Sequence, residues 1–395
     1  MTEHLKRRIG LGLLTAYGVG VMVGAGIYVL VGAVAGEAGI WAPVAFLLAG
    51  LIAAPTALSY SEFSTRIPEA AGEAAYVGTA LKSQLLAVVI GLAIVAAGTI
   101  SAAAVLRGGV GYLTVVIDVP AFWAMVLIGA ALTAVAIFGV MESLALAAVF
   151  TVVELLGLAL VIWAGWQAPE TADWSAMPSP VWAGIGAGAA LAFFAFIGFE
   201  DIVNMAEEVA RPEYTMPRAI LISLAVTTVI YALVTWATVR AVPLGALSTS
   251  EKPLALVWQS GMGGQGKFLS TIAVFAALNG VLAQIVMASR VLYGLGKRSA
   301  ALGVFHHANK RTGTPILATG LVGVAVVAGA IVLNVGLLAE TTSTILLGVF
   351  VIVNFSLIVL KMREPDAPFR VPMFVPVSGL VLAAAALALN LGVQI

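Results

Sequence analysis

Cysteine is missing from this sequence altogether, and charge is scarce: Asp, Glu, Lys and Arg make up 10% of its 395 residues. The first absence excludes disulfides and thiolate metal centres. The second excludes an ordinary soluble domain, in which about a quarter of the residues are charged. Lys plus Arg and Asp plus Glu stand at 19 each, so the formal net charge is zero and no basic footprint points to a nucleic-acid partner. Histidine is rare too, and His306 and His307 stand in a polar loop without an acidic or thiol companion. They read as a solvated face, and no metal or organic cofactor is expected.

What the chain has is apolar residues, 62% of the total. A membrane-crossing helix needs about 20 of them in succession. Roughly eleven such runs can be placed, near 10–35, 41–62, 83–113, 120–140, 143–166, 184–208, 217–241, 267–296, 315–335, 341–361 and 373–393. The expected fold is therefore all-α and polytopic. The basic start, Lys6 to Arg8, precedes a run too long for a secretory signal and without an A-x-A site, so it reads as a first retained span.

The cations are unevenly placed. About 14 of the 19 fall in the N-terminal segment and alternate loops, among them Arg66, Lys82, Arg211, Arg218, Lys297, Arg298, Lys310, Arg311, Lys361, Arg363 and Arg370. The opposite loops hold Arg240, Lys252 and Lys267. The positive-inside rule then predicts a cytoplasmic N-terminus; the expected location is the plasma membrane, crossed many times.

Two spans look broken. The first reads GVGVMVGAGIYVLVG, with Gly18, Gly20, Gly24 and Gly26. The sixth is interrupted by IGFED, Ile197 to Asp201. Close helix packing is the plainer explanation for any one Gly-rich span. Two interruptions in the first and sixth spans of what can be two five-span halves point instead to an inverted-repeat transporter with a midplane site. Half-helix N-termini there offer free N–H groups to a carboxylate, and freed carbonyls accept from an ammonium, so a zwitterion fits. Two other patterns carry less. GVGYL at 109–113 lacks the threonine and the final glycine of a potassium filter, and GVGVMVG neither follows a strand nor has dinucleotide-motif spacing.

Four stretches, VGAGIYVLVG, RIPEAAGEAAYV, FFAFIGFEDIVNMAEEVARPEYTMPRAI and PDAPFRVPMFVPVSG, resemble the amino acid/polyamine/organocation transporter superfamily, in particular its cationic amino acid transporter branch and prokaryotic relatives. The resemblance covers nearly the whole chain. It implies a single transmembrane domain over 1–395 with a leucine-transporter-like fold: a five-helix repeat at 10–166, an inverted one at 184–361 and at least one extra helix at 373–394. It also implies that the backbone of Gly24, Ala25 and Gly26 holds the substrate carboxylate, where relatives have Gly-Ser/Ala-Gly. The ammonium-binding carbonyls fall on Met22, Phe194 and Ile197, the aromatic lid on Phe194 or Phe196, and Ile27 and Gly198 complete the site.

Intramembrane charge is costly, about 2.5–3.5 kcal/mol per residue at mid-bilayer, and so marks functional candidates. Glu200 shares a helical stripe with Asn204 and Glu207 or Glu208. It reads either as part of a wet inner vestibule or, by the resemblance, as a residue linking substrate occupancy to gating. Glu154 shares a polar, small-residue face with Thr151 and Gly157 that should turn inward. The resemblance places a lysine near here in proton-driven relatives. Glu154 can carry a proton, since desolvation raises a buried carboxyl, hold a cation, or serve as a structural or gating element. Arg107 reads as structural, paired or reaching the outer surface, and Arg290 as a cytoplasmic anchor. Thr99, Ser101, Asn279 and Thr342 to Thr344 are side-chain contact candidates, and an acid-free span three argues for a neutral substrate.

The functional expectation is a membrane-embedded permease for small neutral amino acids, working by alternating access with a proton as coupling ion and no chemical step. An amino acid exchanger and a cationic amino acid or polyamine carrier are the alternatives. A channel or receptor on the same fold is the reading from a different class.

Overall fold

The structure, a computed structural model, describes residues 7–69, 72–171, 178–250, 252–264 and 267–391. The chain is built from helices: α1 (Leu11–Val23), α2 (Ala25–Ala38), α3 (Ala42–Arg66), α4 (Gly72–Leu81), α5 (Gln84–Val116), α6 (Ala121–Phe138), α7 (Val140–Gln167) and α8 (Trp182–Phe193). They continue as α9 (Pro212–Ala241), α10 (Leu244–Ser248), α11 (Pro253–Met262), α12 (Lys267–Arg298), α13 (Ile316–Val332), α14 (Val335–Arg363) and α15 (Phe374–Asn390). Among the described residues, eight helical stretches are long and apolar enough to cross a membrane, and three shorter apolar helices, at 182–193, 316–332 and 374–388, join them. This matches the eleven predicted runs in order.

The usual soluble pattern is displaced here by the solvent. Large apolar side chains such as Leu51, Leu85, Leu127, Trp163 and Val324 face outward, whereas buried positions include Glu62, Glu73, Glu154, Glu200, Asp201, Glu208 and Arg290. Hydrocarbon outside makes an apolar exterior cheap and sends polar groups inward. α12 is the most enclosed span, and it pairs most extensively with α5. α1 is held by α7, α9 and α12, and α2 by α3 and α8. α6 and α13, of 18 and 17 residues, pack on each other at the periphery.

Both predicted breaks are present as backbone interruptions. Helix α1 ends and α2 begins at Gly24, whose φ/ψ of −41°/−153° is not helical. After α8 the chain makes a short 3-10 turn over Phe194–Phe196, passes Gly198 at φ +130°, a conformation open to glycine alone at little cost, and continues as a 3-10 helix over Glu200–Glu208. The stripe expected at α-helical spacing from Glu200 is therefore replaced by a three-residue periodicity.

Arg107 has a capping role: its guanidinium donates to the carbonyls of Ala330 (2.7 Å) and Ile331 (3.2 Å) in the last turn of α13, where cations are favoured. At the end of the bundle carrying most of the cations, Glu62 binds Lys361 Nζ (2.7 Å) and Arg66 Nη2 (2.6 Å) and accepts from Val371 N (2.8 Å). This network joins α3, α14 and the approach to α15.

Candidate functional site

A cavity of about 450 Å³ begins at the two breaks and extends toward the face opposite the basic one. Met22, Gly24, Gly26 and Tyr28 line it from the first pass, Ala195 and Ile197 from the sixth, and Ser101, Gln284, Thr342 and Ser343 from α5, α12 and α14. Because α2 starts at Gly24, its first N–H groups lack helical acceptors and make a positive helix end beside the cavity.

Of the residues assigned from the sequence, Met22, Gly24, Gly26 and Ile197 border this cavity. Ile27 is fully buried and outside its lining, and Gly198 packs against Val21 and Met22. The Ala25 and Phe194 side chains lie outside the described set. Phe196 is turned away: it is buried and meets the Tyr231 ring edge-on, centroids 5.2 Å apart, so it does not lie over the cavity as a lid. Ser101, Thr342 and Ser343 reach the cavity, whereas Thr99 bonds back to Val95 O (2.6 Å) and Asn279 turns to Thr151.

Several residues that bear on the site were missed. Tyr231 of α9 joins the two breaks: its hydroxyl lies 2.5 Å from Met22 O and 3.0 Å from Ala195 O. One hydroxyl proton is shared between two acceptors, one from each broken pass. An isolated tyrosine in an apolar span gave the sequence reading no reason to select it. Glu340 borders the cavity from α14. Span three is free of acids as expected, yet the cavity as a whole is not, and the acid at the start of span ten was the available signal.

Glu154 is buried, on the inward face predicted, and close to Asn279. The Thr151 hydroxyl on that face shares its one proton between Ala147 O of its own helix (2.9 Å) and Ala16 O of α1 (3.2 Å), touching α1 from α7. The Asn279 amide points its Nδ2 at Thr151 Oγ1 (3.1 Å), and among the described residues neither Glu154 oxygen completes a hydrogen bond. Gly20 lies under this contact: an added Cβ would collide with Thr151 Oγ1 and the Asn279 amide. Glycine there serves close packing, whereas Gly24 serves the break.

On the basic side the path is closed, which corrects two sequence readings. Glu200, Asn204 and Glu208 are buried rather than set in a wet vestibule, and Asp201 beside them is buried too. Glu200 Oε2 accepts from Gly198 N (2.8 Å), and Asp201 from the Gln284 amide. Arg290 is no surface anchor: it is fully buried, with Nε 3.0 Å from Glu208 Oε1. The 3-10 turn brings Glu208 to Arg290, a placement that α-helical spacing hid. Residues before α1 seal the same end, Arg8 N and Ile9 N donating to Glu208 O at 2.8 and 3.0 Å, with Ala210 N returning to Ile9 O at 2.9 Å.

Helix α4 covers this closure from outside the membrane-crossing helices. Gly72 N donates to Asn204 Oδ1 (3.0 Å), and Tyr76 stacks on Phe63 (4.6 Å). Glu73 is buried beside them, and among the described residues neither of its carboxylate oxygens has a hydrogen-bond partner of good geometry. Burial pushes its carboxyl up to about 8, and the nearby Glu200 adds in the same direction. Among the described residues no cluster of His, Asp and Glu suited to a metal ion is present.

Residues 9–393 match the family model described as amino acid permease. The chain is 27% identical to "Branched-chain amino acid permease BcaP" of Bacillus subtilis (strain 168), over 99% of this chain and 89% of that one. It is 29% identical to the "Methylthioribose transporter" of the same organism, over 86% of this chain and 78% of the relative. With "Cationic amino acid transporter 4, vacuolar" of Arabidopsis thaliana it shares 30% identity over 82% of its own length and 58% of the relative's.

Proposed function

The chain belongs to the amino acid permease family and is a multi-pass membrane transporter of amino acids rather than an enzyme, and we propose that it carries small neutral amino acids by alternating access with proton coupling. The observation that carries the reading is the cavity at the meeting of two interrupted passes. An α-amino acid places its carboxylate at the start of α2, where N–H groups are free, and its ammonium at carbonyls of Met22 and Ile197. Lining by Gly, Ala, Val and Ile leaves a small apolar side chain in suitable surroundings. The halves 10–166 and 184–361 act as inverted repeats, with 373–394 added. The conformation described is closed on the basic face, which we assign to the cytoplasm of a cell whose plasma membrane holds the protein.

Glu154 is the proposed proton carrier. It lies one helical turn from Thr151, which bonds to Ala16 O of the first pass, and close to Asn279 of α12, so a change in its charge is felt beside both. A buried carboxylate short of donors is costly, and pairing proton binding with substrate binding relieves that cost once per cycle.

A specific observation supports a second reading: Glu340 at the cavity wall can attract a cationic side chain. The test for both is uptake of labelled alanine into proteoliposomes in sodium-free buffer, with and without an inward proton gradient, and with lysine as competitor. Gradient-stimulated alanine uptake that Glu154→Gln loses, and that lysine does not inhibit, is the expected result. Stimulation surviving Glu154→Gln removes Glu154 from coupling. Inhibition by lysine that Glu340→Gln relieves makes the chain a carrier of cationic amino acids.

A further inference from the structure

If Glu154 carries a proton, the proton needs a way in, and the structure closes most of them. Glu154 is fully buried and does not border the cavity. Among the described residues, the side chains that face it electrostatically are Tyr28 of α2, Tyr231 of α9 and Asn279 of α12. Two of these are already engaged: Tyr231 with the carbonyls of Met22 and Ala195, Asn279 with Thr151. Neither borders the cavity.

Tyr28 differs on both counts. It lines the main cavity and also the small pocket beside it, formed with Tyr112 and Lys252. Its residue is 5% exposed, and its hydroxyl is buried with no hydrogen-bond partner among the described residues. A buried hydroxyl left unpaired is costly, which calls for a role that outweighs the cost. The charged or titratable groups facing Tyr28 are Glu154 from α7, Tyr112 from α5, Tyr231 from α9 and Lys252 from the segment before α11.

We infer that the Tyr28 hydroxyl is the relay by which a proton passes between the cavity and Glu154. The inference rests on the proton-carrier reading of Glu154. In the loading step the Tyr28 O–H bond breaks as its proton goes to a Glu154 carboxylate oxygen across a bridging water, since the two groups are not hydrogen-bonded to each other in this conformation. The same tyrosine oxygen takes a replacement proton from a hydronium ion in the cavity. Tyr28 ends as it began, Glu154 goes from −1 to neutral, and the cavity loses one positive charge, so the step balances without a further reactant. Release runs the same path backward. A hydroxyl suits this task because it donates and accepts on one atom.

The experiment compares Tyr28→Phe, Tyr28→His and Glu154→Gln in proteoliposomes, reading gradient-driven alanine uptake and alanine counterflow without a gradient. Thermal melting with and without alanine checks folding and binding. A positioned proton-transfer group contributes about 100-fold or more. We expect Tyr28→Phe to lower the ratio of gradient-driven uptake to counterflow by at least about tenfold, with Tyr28→His recovering part of it. The relay is overturned, with Glu154 left standing, if Tyr28→Phe keeps the wild-type ratio while Glu154→Gln abolishes gradient stimulation. It is overturned as a packing effect if Tyr28→Phe lowers uptake and counterflow equally and His restores neither. If Glu154→Gln keeps gradient stimulation, the coupling reading itself fails and takes the relay with it.

Discussion

Glu73 is an acid in a place where ionisation is expensive. Its carboxyl is pushed up to about 8 by burial, while the unfolded chain releases that proton near the ordinary glutamate value of 4.5. Between these limits the folded state holds a proton that the unfolded state does not. Its contribution to stability is therefore complete below about pH 4.5 and is lost as pH rises toward 8, at no more than about 1.4 kcal/mol per pH unit. Glu73→Gln mimics the protonated form, and the melting temperature of this variant in detergent is expected to vary less with pH between 5 and 8 than the wild type's. An equal slope in both proteins would place the pH sensitivity elsewhere. The sequence displayed Glu73 openly, in RIPEAAGEAAYV, yet gave no sign of its burial, because a loop acid is ordinarily solvated. Glu154 was legible for the opposite reason: an acid inside a greasy run has no solvent to fall back on. Arg290 misled because its position near the end of α12 suggested a surface, while the partner that buries it, Glu208, is 82 residues away.

At the scale of elements, the broken passes show which glycines break a helix and which let helices approach. Gly20 lies where α1 meets α7 and α12, with Thr151 and Asn279 against its missing side chain. Gly12, in the first turn of the same helix, is exposed and has none of the described residues within 4 Å of an added Cβ. Gly20→Val should thus cost about 1–3 kcal/mol by overpacking, whereas Gly12→Ala should be neutral or gain about 0.4–1 kcal/mol through the unfolded chain. Thermal melting of the two variants side by side checks this, and comparable losses would refute it. Helix number and order were readable because about 20 apolar residues in a row have few other uses, and the breaks because Gly and acid are poor company for a lipid-facing helix. The 3-10 winding after Gly198 was not readable. Its residues suit an α-helix locally, and contacts with Gly72, Gln284 and Arg290 come from elements distant in sequence. Tyr231 stayed hidden likewise, since its value comes from two carbonyls that only folding brings together.

The molecule as a whole is asymmetric about its middle: a cavity on one side, a packed closure of Glu208, Arg290 and the residues before α1 on the other. Opening the closed side must part the Arg290–Glu208 pair and the backbone bonds to Ile9 together, so the change is expected to be concerted. It is not symmetric around its circumference either. Helices α6 and α13, with 18 and 17 residues, lie together at the periphery and turn Trp123, Leu127, Phe138, Leu321, Val324 and Val332 outward. At 1.5 Å per residue each reaches only about 26 Å, against a hydrocarbon thickness of about 30 Å. Lipid beside this flank must shorten or disorder its tails, at fractions of a kcal/mol per Å of mismatch. The protein should thus sense the acyl chain length of its host. In proteoliposomes made from phosphatidylcholines of increasing chain length, transport is expected to peak in a bilayer thinner than the average one and to decline as the tails lengthen. A flat response would mean that the flank yields instead of the lipid. The short pair of helices makes membrane thickness a variable of the transport cycle, alongside substrate and proton.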